Sequence, residues 1–116
     1  MDYKIADRGR FKMISISGDI DSEESRKALD EEISRLMGEG NHHFVFNLER
    51  TTYLDSAGIS VFIHCLCDVQ ENNGSVYIIA GDSQVKEVLE LVGLNQLIKT
   101  YTTERDFVGD QKVEGV

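Results

Sequence analysis

Proline is absent from the 116 residues. Breaks between elements therefore fall to ten glycines and to capping side chains. Cysteine is scarce: Cys65 and Cys67 stand two apart in a segment that reads as helix. Residues i and i+2 point to nearly opposite sides of a helix, which excludes a mutual disulfide, and both read as packing residues. A reduced, cytoplasmic chain is the expectation. Cations are few as well, 12 Lys plus Arg against 21 Asp plus Glu, for a formal charge of −9. That balance argues against direct binding of nucleic acid, whose affinity comes from neutralising phosphates, and against docking to anionic lipid. No apolar run approaches the ~20 residues needed to span a bilayer. The opening Met1-Asp2-Tyr3-Lys4 lacks a basic region followed by an apolar stretch, so no signal peptide is expected.

What is present is ordinary globular material, 41% hydrophobic and 28% charged. The length suits one domain over residues 1–116. Phe11 to Ser17 alternates as a strand that ends at Gly18, with a shorter strand near Tyr3–Ala6 to pair with it. Ala28, Leu29, Ile33, Leu36 and Met37 form one helical stripe, capped by Asp21 or Ser22 and ended by Gly38 and Gly40. Phe44 to Leu48 is a β-prone run suited to a central strand. A second helix begins near Asp55-Ser56 with Ile59, Phe62, Ile63, Leu66 and Val69 inward, and stops at Asn72-Asn73-Gly74, where Gly supplies a left-handed residue. Val76 to Ala80 is a strand. A third helix follows, capped by Asp82 or Ser83, with Val85, Val88, Leu89 and Val92 as its core stripe and Gly93-Leu94 as its stop. A last strand near 98–102 and a short helix from Thr103 complete the core, and residues 109–116 read as a loose polar tail. Strands alternating with helices predict an α/β fold, a mostly parallel sheet of about five strands with helices packed on it.

Catalytic motifs are missing. There is no phosphate loop, no dinucleotide fingerprint, and no nucleophile elbow, since Leu54-Asp55 precedes Ser56. His42 and His43 read as solvated loop residues and His64 as helical, which is no metal-ligand pattern. Asp19, Asp21 and Glu23 open like a calcium loop, but Glu24 stands where the turn requires Gly. A hydrolytic pair of Ser56 and His64 fails on distance, at roughly 12 Å along one helix. No metal, cofactor or catalytic residue is expected.

One segment stands apart. Leu54-Asp55-Ser56-Ala57-Gly58 joins a β-rich stretch to an amphipathic helix. The local reading is a helix cap at Asp55 or Ser56. The alternative is a phosphorylation site at Ser56, with the phosphate held by free amides at the helix start. Small Ala57 and Gly58 would then leave the hydroxyl open to another protein's active site. Residues 19–32 hold seven acids against Arg26 and Lys27. They are either a solvated face or a docking patch for a basic partner.

The stretch Phe46 to Ile59, with Asp55-Ser56-Ala57-Gly58 at its end, resembles the signature of the STAS domain, a family that includes bacterial anti-sigma-factor antagonists. Gly18-Asp19-Ile20-Asp21 resembles the box before that family's first helix, and Gly93-Leu94 matches its usual stop. The signature runs as a buried strand, a short polar connection, a hydrophobic residue, then the Asp-Ser box. The resemblance covers roughly residues 3–108. It implies a protein-binding switch: unmodified, the antagonist binds an anti-sigma factor that is also a GHKL-type serine kinase, which frees a sigma factor. Phosphorylation of Ser56 would end that binding, and a PP2C-type phosphatase would reset it. Asp19, Asp21, Asp55, Ala57 and Gly58 would form the partner-binding loops around Ser56. Thr51, Thr52 and Ser60 are secondary acceptors, and Ala57 takes the place of a second hydroxyl found in many members. The alternative within the family is a scaffold or transport-associated module without a phospho-switch.

Overall fold

The computed structural model describes residues 1–113. Its elements run β1 (Asp2–Arg8), β2 (Phe11–Ile20), α1 (Glu23–Gly38), β3 (His43–Leu54), α2 (Ser56–Gln70), β4 (Ser75–Ile79), α3 (Gln84–Leu91), a 3-10 turn at Leu94–Gln96, β5 (Thr100–Tyr101) and α4 (Glu104–Gln111). The strands form one sheet in chain order, β1 antiparallel to β2 and every other neighbour pair parallel. This is the α/β architecture that alternation of strands and helices dictates.

Two layers of side chains hold it. On one face Ile14, Ile16, Phe46, Leu48 and Ile78 meet Leu29, Ile33 and Leu36 of α1, Val61, Phe62 and Cys65 of α2, and Val85 and Leu89 of α3. On the other face Phe107 of α4 covers Phe11, Met13, Val45, Ile79 and Tyr101. Three edge-to-face or tilted ring contacts fix Phe107, to Phe11 at 5.1 Å, Tyr101 at 5.5 Å and Tyr77 at 5.8 Å between centroids.

Several elements differ from the sequence reading. Residues 49–53 are not a polar connection: β3 continues to Leu54, and β2 passes Gly18 to reach Ile20. Two register shifts, each giving β3 one extra residue, lie between Ser15 and Ser17 and between Gly18 and Asp19. They break the alternation that a strand pattern relies on. On α2 the fully buried side is Val61, Phe62, Cys65 and Val69, with Ile59, Ile63 and Leu66 only flanking the core. Val92 is 53% exposed rather than part of the α3 stripe. Ser22, and not Asp21, caps α1, accepting from the Ser25 amide at 3.1 Å. The left-handed residue after α2 is Asn73 (φ 55). Gly74 is required instead by crowding, since a Cβ there would stand 2.0 Å from the His42 carbonyl oxygen. His43 is half-buried and opens β3, its Nδ1 2.8 Å from Ser75 Oγ. Cys67 is exposed, so only Cys65 is a packing residue. Residues 109–111 belong to α4, because Asp110 is held by Lys99 and by the Tyr101 hydroxyl. Of the expected loose tail, residues 114–116 lie outside the described residues.

Candidate functional site

The parallel strands β2, β3 and β4 all end on the same side of the sheet, and each feeds a helix. In open α/β sheets ligands bind outside such carboxyl ends where the strand order reverses; here the strands lie in chain order, without that reversal and its crevice. Here the Gly18–Asp21 box lies directly beside the end of β3, with Asp19 opposite Tyr53 and Ile20 opposite Leu54. The Asp55 amide donates to the Ile20 carbonyl at 3.3 Å, and Thr52 Oγ1 donates to Asp19 Oδ1 at 2.6 Å. The second register shift makes this possible, bringing two boxes more than thirty residues apart into one ridge of backbone.

Asp55 is the N-cap of α2. Its Oδ1 accepts from the Ala57 amide at 2.9 Å and the Gly58 amide at 3.4 Å, while its carbonyl accepts from Ile59 at 3.1 Å. The amides expected to hold a phosphate are therefore already occupied by a carboxylate. Only the Ser56 amide is left without a partner among the described residues. Ser56 itself is exposed, and its hydroxyl makes no hydrogen bond among the described residues. The helix start thus presents this hydroxyl outward beside a fixed negative charge.

The neighbouring serine and threonine hydroxyls at 51, 52 and 60 are each engaged. Thr51 is 3% exposed and donates to the Ile16 carbonyl at 2.8 Å. Thr52 is bonded to Asp19, and Ser60 Oγ donates to the Ala57 carbonyl at 2.7 Å. Ala57 is half-buried and exposes no competing acceptor. Gly58 is buried, and its lack of a side chain serves packing and not access: a Cβ would stand 2.2 Å from Leu54 Cδ1 and 2.9 Å from Ile20 Cγ2.

Asp19 and Asp21 are both exposed, as is Asp82 on the β4–α3 loop, so this end of the sheet is rimmed with carboxylates. Along α1, Arg26 bridges Glu23 at 2.7 Å and Asp30 at 2.8 Å, and Arg35 bridges Glu32 at 2.6 Å and Glu39 at 2.7 Å. Those pairs hold the Glu23 and Glu32 carboxyls below their ordinary range through hydrogen bonds from the guanidinium groups. Among the described residues no cation pairs with Asp19, Asp21, Glu24 or Glu31, and pairing of Glu23, Asp30 and Glu32 makes the unneutralised acids of this stretch fewer than the sequence count suggests. No cluster of three or more His, Cys, Asp or Glu side chains able to hold a metal occurs among the described residues. No helix there is long and apolar enough to cross a membrane.

Sequence reasoning placed Thr52 only as a secondary acceptor and Ile20 only as a box residue, and did not find that these two, with Tyr53 opposite Asp19, tie the two boxes together. Tyr53 is 53% exposed directly before the box, and a large aromatic in a polar stretch was the signal available.

A five-stranded, mostly parallel sheet with helices packed on it, and an Asp-capped helix at its carboxyl end that presents Ser56, defines a single α/β domain. The family model of the STAS domain matches residues 3–107, and the chain belongs to the STAS domain family. It is 25% identical over 89 residues to the anti-sigma-B factor antagonist of Staphylococcus aureus, covering 77% of this chain and 82% of that one. Its fold matches an anti-sigma factor antagonist from Mycobacterium paratuberculosis with a TM-score of 0.82 at 20% identity, over 94% of this chain and 92% of that one. It also matches the anti-sigma factor antagonist SpoIIAA in its unphosphorylated form, with a TM-score of 0.75 at 14% identity, over 99% of this chain and 100% of that one. The Bacillus SpoIIAA in its phosphorylated form gives 0.73 at 17% identity, over 94% and 98%.

Proposed function

We propose that this chain is an anti-sigma-factor antagonist switched by phosphorylation at Ser56. Unmodified, it binds a GHKL-type anti-sigma serine kinase through the ridge formed by Asp19, Asp21 and Asp55 to Gly58, and the kinase releases its sigma factor. The observation that carries this reading is the contrast among hydroxyls: Ser56 is exposed and unbonded, whereas Thr51, Thr52 and Ser60 are each engaged within the chain. Relatives named as anti-sigma factor antagonists support the general role. The chain is the acceptor and not the catalyst. The kinase moves the γ-phosphoryl group of ATP onto Ser56 Oγ, the hydroxyl proton goes to a base of the kinase, and ADP leaves. A PP2C-type phosphatase transfers the group to water and restores the hydroxyl.

Electrostatics explains why the modified form lets go. The phosphate adds about −1.5 to −2 charge. The Ala57 and Gly58 amides that could neutralise it are held by Asp55, and Asp19, Asp21 and Asp82 already ring this end. The new charge must face the partner, where desolvating it costs several-fold more than desolvating a hydroxyl.

The test uses ATP, a GHKL-type kinase encoded in the same genome, and intact-mass measurement. One phosphate is expected, absent in Ser56→Ala, with weaker kinase binding by Ser56→Asp and Ser56→Glu. A phosphate mapped to Thr51, Thr52 or Ser60 overturns the site. A chain that no kinase binds or modifies overturns the switch and leaves the scaffold role.

A further inference from the structure

The helix α3 carries apolar residues on a second side, away from the core. Val85 and Leu89 face the core, yet Val88 and Leu91 do not, and Leu91 is 88% exposed. With Gln84 and Glu87 they occupy positions i, i+3, i+4 and i+7, one continuous stripe along the helix. Opposite that stripe runs the end of β3. Together they enclose a groove of about 390 Å³, lined by Thr52, Tyr53 and Leu54 on one side and by Gln84, Val88 and Leu91 on the other. Leu54 and Val85 form a buried floor, Tyr53 and Leu91 exposed walls, and Glu87 a charged rim.

We infer that this groove is a second contact for the same kinase-type partner, receiving an apolar side chain flanked by basic residues. The inference rests on the Ser56 reading and names where the rest of the partner's surface lies. Two observations select that occupant. The groove adjoins the switch: Thr52, Tyr53 and Leu54 are the three residues before Asp55-Ser56, so a partner at Ser56 stands beside it. The surround is acidic, with Glu87 on the rim and Asp19 bonded to the Thr52 that lines it, which favours a cationic flank. An exposed tyrosine beside an exposed leucine supplies the apolar centre that such contacts use as an anchor. Phosphorylation would then act on one end of a bipartite surface, leaving the groove unchanged.

The experiment measures binding of the kinase identified by Ser56 phosphotransfer to Leu91→Ala, Leu91→Arg and Tyr53→Ser. Leu97→Ala serves as a control, since that residue is 64% exposed and does not line the groove. Affinity should fall about tenfold in Leu91→Ala and further in Leu91→Arg, with Leu97→Ala unchanged. Phosphotransfer should show a raised KM for this chain at unchanged kcat, and unfolding curves should overlay because Leu91 is almost wholly exposed. Variants that bind and accept phosphate like the parent chain overturn the groove while the Ser56 reading stands. Failure of every kinase to modify Ser56 overturns that reading, and the groove assignment with it. Dimers in sedimentation that Leu91→Arg converts to monomers would give the groove to a second copy of this chain and overturn the proposal.

Discussion

Replacing Gly58 by alanine sets two effects of opposite sign against each other. Alanine is the better helix former, and in an unobstructed helical position the exchange gains about 0.5–1 kcal/mol. Position 58 is obstructed. The added Cβ would lie 2.2 Å from Leu54 Cδ1, 2.9 Å from Ile20 Cγ2 and 3.3 Å from Ile20 Cβ. The leucine tip can turn aside, although Leu54 is only 4% exposed and has little room. Ile20 cannot turn aside, because the atoms met are its Cβ and the methyl attached to it, on a strand paired to β3. Overpacking of this kind costs about 1–3 kcal/mol. The clash outweighs the gain, for a net loss centred on about 1 kcal/mol and reaching about 2.5 kcal/mol. Urea unfolding followed by circular dichroism should show a lower midpoint at unchanged slope. The consequence reaches function, since Ile20 holds the Asp55 amide and Leu54 adjoins Asp55. Relief of the clash would push apart the two boxes that frame Ser56, and kinase affinity should fall with stability. A Gly58→Ala chain at least as stable as its parent would refute the steric account and restore the view that this glycine serves only access.

Two further outcomes separate cap chemistry from charge and bring in pH. Asp55→Ala should lose about 1 kcal/mol in urea unfolding through the uncapped Ala57 and Gly58 amides, whereas Asp55→Asn retains an oxygen to accept from them and should lose little. Equal losses would show that the charge, and not the hydrogen bonds, holds the helix start. His43 is held below its ordinary value of 6.5, first by burial and then by Arg10 and His42. Its folded form therefore resists protonation: above 6.5 it has no effect on stability, and as pH falls through 6.5 the unfolded chain takes up the proton first and stability declines. Unfolding midpoints measured from pH 7.5 to 5 should fall in the parent chain and flatten in His43→Gln. An identical decline in both would assign it to other groups.

Much of the site was legible because it is local. The Asp-Ser-Ala-Gly box, a cap at Asp55 or Ser56 and the stop at Gly93-Leu94 depend on residues within a few positions of one another, and helix-end chemistry has few solutions. The misreadings share one cause, which is contact between distant residues. Residues 49–53 read as a polar connection because two register shifts break their alternation, and only pairing with Ser17 to Ile20 makes them a strand. Gly58 read as an opening beside the hydroxyl because nothing local reveals Ile20 behind it. Val88 and Val92 read as core because helical spacing does not say which stripe meets the sheet.

The sequence by itself determined the alternation of strands and helices, the helix ends and the position of Ser56, since periodicity and capping act over one or two turns. Tertiary structure alone decided that Thr51 and Thr52 do not stay free. Thr51, Thr52 and Ser60 are acceptors by composition; Thr51 and Thr52 lose that standing to residues that only the fold brings near, on the neighbouring strand, while Ser60 is engaged by the Ala57 carbonyl of its own helix. Local capping gave the Ala57 and Gly58 amides to Asp55. A hydroxyl at a helix start thereby became an exposed one beside a fixed negative charge, because a carboxylate one residue away satisfies those amides before any phosphate can.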